Sequence, residues 1–127
     1  MINGAHVILY TTDPEGLRAW FRDVLELPSV DSGDGWLIFS LPPAEVAMHP
    51  TDGPARHELY LMCDDVHATV KALQNKGVDF AAPISDQGWG LLTSIRIPGG
   101  GELGLYQPRH PSPPRIQASS ARGVGGA

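Results

Sequence analysis

Residues 56–65, RHELYLMCDD, decide the fold, because at this stretch the chain begins to repeat its own opening. Residues 5–13, AHVILYTTD, follow the same plan: a histidine, an alternating apolar run typical of a β-strand, and an aspartate placed to cap a helix. The histidine and the aspartate stand at the same spacing in both stretches. The sequence therefore predicts two related modules, at about 4–54 and 55–110.

Composition and charge exclude several classes of partner. The chain has 127 residues, of which 42% are hydrophobic, and this fits one globular domain. A formal net charge of -5 with scattered basic residues gives no basic surface for nucleic acid. The opening has no signal-peptide pattern, and no stretch approaches the ~20 apolar residues of a membrane span, so we expect a cytoplasmic protein without membrane contact. The single cysteine, Cys63, cannot form an intrachain disulfide, which agrees with that location.

The first module reads as a strand, a helix and further short strands. Residues 6–12 alternate as a strand, and Asp13 followed by Pro14 has the pattern of a helix N-cap and first helical position. We expect the helix to run to about Leu25, and a turn at 31–35 leads to short strands at 36–41 and 45–49. The apolar side chains spaced to form the buried stripe of the helix are Leu17, Trp20, Phe21, Val24 and Leu25.

The second module repeats this order. Residues 58–63 predict a strand, either Asp64 or Asp65 caps the following helix, and Gly77 ends it. Turns at 86–89 and 98–101 are followed by strands at 91–97 and 102–107. The stripe of this second helix is Val66, Thr69, Val70 and Leu73. The chain after residue 108 is rich in Pro, Ser, Gly and Ala, so we expect residues 111–127 to form a disordered tail, with His110 at its start.

Three stretches carry a resemblance to a known family. They are HVILYTTDPEGLRAWFRDVLELP from residue 6, HELYLMCDDVHATVKALQNKGVDF from residue 57 and PGGGELGLYQP from residue 98. Over roughly residues 4–110 the chain resembles the vicinal oxygen chelate (VOC) superfamily, also called the glyoxalase, bleomycin-resistance and extradiol-dioxygenase family. This resemblance implies an α+β domain over 1–110. Its two βαβββ modules would form a U-shaped mixed sheet, with helices outside and a cleft inside.

Strand alternation assigns side chains to the cleft. The apolar pairs Val7/Leu9, Leu59/Leu61 and Leu103/Leu105 can all face helices, so the opposite parity points into the cleft. The polar and aromatic residues of that parity are His6, Tyr10, Glu45, His49, Glu58, Tyr60, Glu102 and Tyr106, to which we add Arg96.

The resemblance also implies a divalent metal ion, held by His and Glu side chains of the first and last strands. His6 stands at the position of the family's first metal histidine, and the second such position falls on Glu58, with His57 one residue earlier. Since adjacent strand residues face opposite sides, the two cannot both point inward without a bulge, and we expect Glu58 to be the inward one. Together with Glu102 and either His49 or Glu45, His6 and Glu58 would form a ligand set suited to zinc, manganese, iron or nickel.

The sequence departs from the family pattern in the last strand of each module. The family's metal glutamate falls on Gly104, and its first-half counterpart falls on Ala47, neither of which has a ligating side chain. Glu102 and Glu45 each stand two residues earlier, on the same face and about 7 Å along the strand. The chain is therefore either a metal-binding member with displaced acids or a metal-free member.

Two functional classes follow from these alternatives. The first is a metal-dependent lyase, isomerase or dioxygenase acting on a small oxygen-bearing metabolite, with Glu102 or Glu58 moving a proton. The second is a metal-free small-molecule binding protein of the bleomycin-resistance type. The sequence slightly favours the first class, because His6 and the cleft acids are costly to place together without a cation. In both cases the residues expected to line the pocket are Tyr10, Glu45, Tyr60, Tyr106 and Arg96.

The exposed strand edges of such modules must be paired or covered. We therefore expect a homodimer. A third possibility is that the protein's own side chains fill the cleft and that the domain serves only as a dimer partner.

Overall fold

The structure, a computed structural model, describes residues 6–114. Its elements, in chain order, are α1 (Pro14–Asp23), β1 (Ser29–Asp31), β2 (Leu37–Phe39), β3 (Tyr60–Met62), α2 (Val66–Asn75), β4 (Phe80–Asp86), β5 (Gly90–Arg96) and β6 (Glu102–Pro108). The predicted α+β class is confirmed. Most of the expected disordered tail, residues 115–127, lies outside the described residues.

The second half of the chain forms a βαβββ module. Its sheet has the order β3-β6-β5-β4, with β3 parallel to β6 and the other pairs antiparallel. Helix α2 connects β3 to β4. This module therefore has the strand and helix order that the sequence repeat predicts, and β4 is a strand that the sequence pattern does not single out.

Side-chain caps fix where both helices begin. The Asp13 carboxylate accepts a hydrogen bond from the Gly16 N–H at 3.0 Å, and the Asp65 carboxylate accepts one from the Ala68 N–H at 3.1 Å. The structure thus selects Asp65 over Asp64 as the second cap. Gly77 follows α2 with a φ of 86°, a conformation that glycine adopts without steric cost.

The core lies between the helices and one face of the second-half sheet. Helix α1 buries Leu17 and Phe21, and α2 buries Val66 and Leu73. The sheet side chains buried with them are Ile95, Leu103 and Leu105. Since residues of one strand alternate between faces, these positions leave Glu102, Gly104 and Tyr106 on the opposite face, as the sequence predicts.

The first half differs from its prediction. It contains α1 and the antiparallel β1–β2 hairpin, whereas residues 6–12 and 45–49 are irregular instead of forming the two expected strands. Pro42, Pro43 and Pro50 flank the second of these segments and remove backbone donors on both sides. The first strand of a βαβββ module pairs with the last, as β3 does with β6, so residues 6–12 lack a partner when 45–49 form no strand.

Side-chain contacts of Lys76 and Thr12 are among those that hold the first half against the second. Lys76 Nζ, at the end of α2, donates to the Val24 carbonyl at 2.9 Å and forms an ion pair with Glu26. Thr12 Oγ1 donates to the Gly99 carbonyl at 3.4 Å. Within residues 6–114, no helix is both long and apolar enough to cross a membrane. The cytoplasmic location stays a prediction.

Candidate functional site

The face of the second-half sheet opposite α2 carries the candidate site. Tyr60, Gly104 and Ser94 lie side by side across β3, β6 and β5. A cavity of about 450 Å³ lies against this row, and its walls include Glu58 and Glu102. The site therefore combines an aromatic ring, a hydroxyl group and two carboxylates on one sheet surface.

Gly104 permits a close contact with the ring of Tyr60. A Cβ atom built on Gly104 would lie 2.3 Å from Cδ2 of Tyr60, well inside van der Waals contact. The ring consequently covers the backbone of β6 where the family pattern has a metal-binding glutamate. A side chain larger than hydrogen at position 104 would have to displace the ring.

Five aromatic and imidazole rings adjoin one another beside the cavity, and we call them the aromatic cluster. Its members are Tyr60, Tyr106, Trp89, His49 and His110. Tyr106 is central, with ring-centre distances of 5.9 Å to Tyr60, 5.4 Å to Trp89 and 5.8 Å to His110. The ring of His49 lies edge-on to Trp89 at 6.2 Å. Such offset and edge-to-face contacts stabilise a continuous aromatic surface.

Both tyrosines of the cluster are held in the protonated form. Burial, and then the charge of Glu58, raise the pKa of the Tyr60 phenol, which donates a hydrogen bond to Glu58 Oε1 at 3.2 Å. Burial, and then the charge of Glu45, raise the pKa of the Tyr106 phenol. At neutral pH the site therefore offers phenol hydroxyl groups rather than phenolates.

The two cavity carboxylates have different partners. Glu58 lies 3.8 Å from the guanidinium of Arg56, in addition to its hydrogen bond from Tyr60. Glu102 accepts a hydrogen bond from the Ser94 hydroxyl at 2.8 Å. Glu58 is thus partly balanced by a cation, whereas Glu102 is bonded to a neutral group.

The predicted metal ligands are not brought together. His6 is exposed and lies outside both sheets, and His49 packs against Trp89, while Glu58 and Glu102 line the cavity. In the part of the chain that the structure describes, no three His, Cys, Asp or Glu side chains are placed to hold a metal ion. The residues present therefore do not fit the metal ion that the resemblance implies, because the ring of Tyr60 covers Gly104 and neither His6 nor His49 lines the cavity. The imidazole in the cavity wall is that of His57.

Three other residues that were expected to line the pocket lie outside this cavity, each at a different place. Tyr10 is 92% exposed. Arg96 borders a different cavity, beside Gln74 and Asp79 near the end of α2. Glu45 lies 3.5 Å from His110, so it adjoins the aromatic cluster rather than the cavity.

Sequence reasoning missed Trp89, Ser94 and His110. Ser94 has the parity of Arg96 on the same strand, so alternation alone could have included it. His110 belongs to the cluster and not to a free tail, because Arg109 holds this segment in place. The Arg109 guanidinium lies 2.7 Å from Asp86, and the backbone N–H of Arg109 donates to the Trp89 carbonyl at 2.9 Å.

Comparison with known proteins gives matches over most of the chain. A model of the Glyoxalase/Bleomycin resistance protein/Dioxygenase superfamily matches residues 4–112. No curated protein is similar enough to count as a match. The chain is 26% identical to TnmS3, an antibiotic binding protein from Streptomyces sp. CB03234, with a TM-score of 0.58 over 85% of this chain and 99% of that one.

Two further solved structures share the fold at lower identity. A superfamily member from Sphaerobacter thermophilus DSM 20745 is 21% identical, with a TM-score of 0.57 over 84% of this chain and 98% of that one. Lactoylglutathione lyase from Agrobacterium tumefaciens is 19% identical, with a TM-score of 0.56 over 78% of this chain and 88% of that one. At these identities the likeness concerns the fold alone.

Proposed function

The chain belongs to the glyoxalase/bleomycin resistance protein/dioxygenase superfamily, and from this premise we propose that it binds a small aromatic molecule in its cleft without a metal ion. The observation that carries the proposal is the ring of Tyr60, which covers Gly104. The family pattern has a metal-binding carboxylate at this position. An aromatic ring supplies stacking area there and no metal ligand.

The exposure of the aromatic cluster supports the same function. Tyr60 is 37% exposed and Trp89 is 39% exposed, so both rings present apolar surface beside the cavity. A pocket lined by aromatic groups with a few polar groups is the usual form of a small-molecule site. The likeness to TnmS3, an antibiotic binding protein, also favours a binding protein.

The test is a binding titration with 9-anthracenemethanol, a neutral fluorescent three-ring probe. The fluorescence anisotropy of the probe measures how much of it is bound. We expect saturable binding that Trp89→Ala weakens about tenfold, since the loss of one stacked ring costs on the order of 1 kcal/mol. Trp36→Ala is the matched control. Trp36 also follows a glycine turn and is exposed, but it lies in the first half, where the guanidinium of Arg18 lies over its ring. Equal affinity of the two variants would contradict the proposal.

The alternative hypothesis, a metal-dependent enzyme, is the one that the sequence slightly favoured. It is tested on the same protein preparation. Elemental analysis of untagged protein, purified without chelator, measures bound metal per chain. One tightly bound ion per chain would overturn the metal-free proposal and return His6 to the ligand set. A metal content far below one per chain would support it.

We also propose that the protein is a homodimer. Most of its exposed large hydrophobic side chains lie in the first half, and among the most exposed are Tyr10, Val46 and Met48. Both edges of the second-half sheet, β3 and β4, carry backbone groups without a neighbouring strand in the described chain. Burial of these surfaces in a second copy would stabilise the molecule. Light scattering at micromolar concentration tests this, and a monomer mass would contradict it.

A further inference from the structure

The charged groups in the cavity wall are mainly carboxylates. The residues that line the cavity include Glu58, Glu102 and the imidazole of His57, and none of its lining residues in the described chain is a lysine or an arginine. Arg56 lies 3.8 Å from Glu58 but is not part of the wall. A ligand in this cavity would therefore meet two carboxylates and one imidazole but no permanently charged cation.

Glu102 is the carboxylate most open to a ligand cation. Its hydrogen bond from Ser94 leaves further acceptor positions on its two oxygens. None of the ion pairs found within residues 6–114 includes Glu102. Although Arg96 lies opposite Glu102 in the strand register, it borders the other cavity. The carboxylate is thus exposed in the cavity wall and has no charged partner among the ion pairs of the described chain.

The ring of Tyr60 lies next to this carboxylate. Glu102 and Gly104 share one face of β6, about 7 Å apart, and the Tyr60 ring covers Gly104. An aromatic face attracts cations through its quadrupole, and a carboxylate attracts them through its charge. A cation between the two would be stabilised by both groups.

We infer that the ligand is an aromatic molecule with a protonated amine, and that the ammonium group binds between the Glu102 carboxylate and the Tyr60 ring. This inference rests on the proposed function and adds the charge of the ligand to it. The aromatic part of the ligand would stack on the exposed surface of Tyr60 and Trp89. The ammonium group would donate hydrogen bonds to Glu102.

Three probes with the same ring system test the inference. They are 9-(aminomethyl)anthracene, which is a cation at neutral pH, 9-anthracenemethanol, which is neutral, and 9-anthracenecarboxylate, which is an anion. We expect the amine to bind about tenfold more tightly than the alcohol, and the carboxylate to bind more weakly than both. Competition titrations at low and physiological ionic strength give the three dissociation constants.

Variants assign the preference to one side chain. Glu102→Gln is expected to remove the preference for the amine, so that the ratio of the two dissociation constants, alcohol to amine, falls to about one. Asp52→Asn makes the same change in net charge in an exposed turn outside the cavity wall, and it should keep the preference. Ser94→Ala removes the hydroxyl donor but keeps the carboxylate, so it should also keep the preference. Thermal melting of each variant checks that it is folded.

The outcomes separate the two proposals. If the alcohol binds but the amine binds no more tightly, the inference about charge is overturned and the aromatic binding function stands. If a folded Glu102→Gln protein keeps the full preference, Glu102 is not the recognition group and the inference is overturned. If none of the three probes binds, the proposed function itself fails.

Discussion

A single residue without a side chain determines the chemistry of the cleft. Gly104 lies where a family glutamate would supply a metal ligand, and its missing Cβ leaves room for the ring of Tyr60. The ring in turn connects the cavity to the aromatic cluster through Tyr106, at a ring-centre distance of 5.9 Å.

Gly104→Ala tests this contact. Because the new Cβ would lie 2.3 Å from the Tyr60 ring, the ring must move, and we expect a loss of about 1–3 kcal/mol in the free energy of unfolding. Urea denaturation measures the change. Gly101→Ala is the matched control, since its Cβ would meet Ile97 at an ordinary 3.6 Å.

The double variant Tyr60→Ala/Gly104→Ala separates this contact from other effects of the substitution. If the steric contact is the cause, the double variant should be no less stable than Tyr60→Ala alone. Additive losses in the double variant would show that the ring does not account for the effect.

Cys63 is expected to be an unreactive thiol. Burial is the largest cause that raises its pKa, and its thiol donates weakly to the Tyr106 carbonyl. A raised pKa lowers the thiolate fraction at pH 8 and slows thiol–disulfide exchange. We expect Ellman's reagent to react at least ~10-fold more slowly with the native protein than with the protein in 8 M urea. Equal rates in the two solutions would contradict this.

At the scale of the elements, the helices are specified locally while the first-half strands are not. Each helix begins at an aspartate that caps its first turn, and α2 is followed by Gly77 with positive φ. Residues 45–49 alternate as a strand does, yet they pair with nothing in the described chain. A cap needs only a neighbour a few residues away, whereas a strand needs a partner elsewhere in the chain.

The second cap gives a paired prediction. Asp65→Ala removes the hydrogen bond to the Ala68 N–H and should cost about 1 kcal/mol of unfolding free energy. Asp64→Ala changes the adjacent acid, which makes no such bond, and should cost less than about 0.5 kcal/mol. Circular dichroism during urea denaturation measures both. A larger loss of unfolding free energy for Asp64→Ala than for Asp65→Ala would contradict the assignment of Asp65 as the cap.

At the scale of the molecule, the sheet face and the first half together form the candidate site. The second half supplies Tyr60 and Glu102 from its sheet and Trp89 from the turn between β4 and β5, while the first half contributes Leu9 to the cavity wall and His49 to the aromatic cluster. Both halves are therefore needed for the complete site. The division into one domain over 1–110 and a tail over 111–127 stays a prediction.

Thermal melting tests whether the whole molecule is stabilised by an aromatic ligand rather than by a metal ion. With 9-anthracenemethanol at 100 times its dissociation constant, linkage predicts about 2.7 kcal/mol of added stability and a Tm rise of roughly 10 °C. EDTA, Zn²⁺, Mn²⁺ or Ni²⁺ should leave the Tm unchanged. A Tm that falls with EDTA and recovers with one of these ions would instead support the metal-binding alternative.

Much of the second module could be predicted from the sequence. The alternation of Leu103 and Leu105 with Glu102, Gly104 and Tyr106 assigns each side chain to a face, because the period of a strand is two residues. The same rule placed Tyr60 and Tyr106 together on one face, and the structure agrees. It could not place Tyr10 or His6, because their segment forms no strand and alternation then has no sheet to refer to.

The sequence by itself determined the α+β class, the start of each helix to within one residue, and the shared face of Glu102, Gly104 and Tyr106, because caps and periodicity act between near neighbours. Only the tertiary structure decided that Tyr60 covers Gly104, that His110 joins the aromatic cluster, and that His6 and His49 lie apart from Glu58 and Glu102. These contacts join residues far apart in the chain, and they depend on strand register and packing that no local pattern specifies.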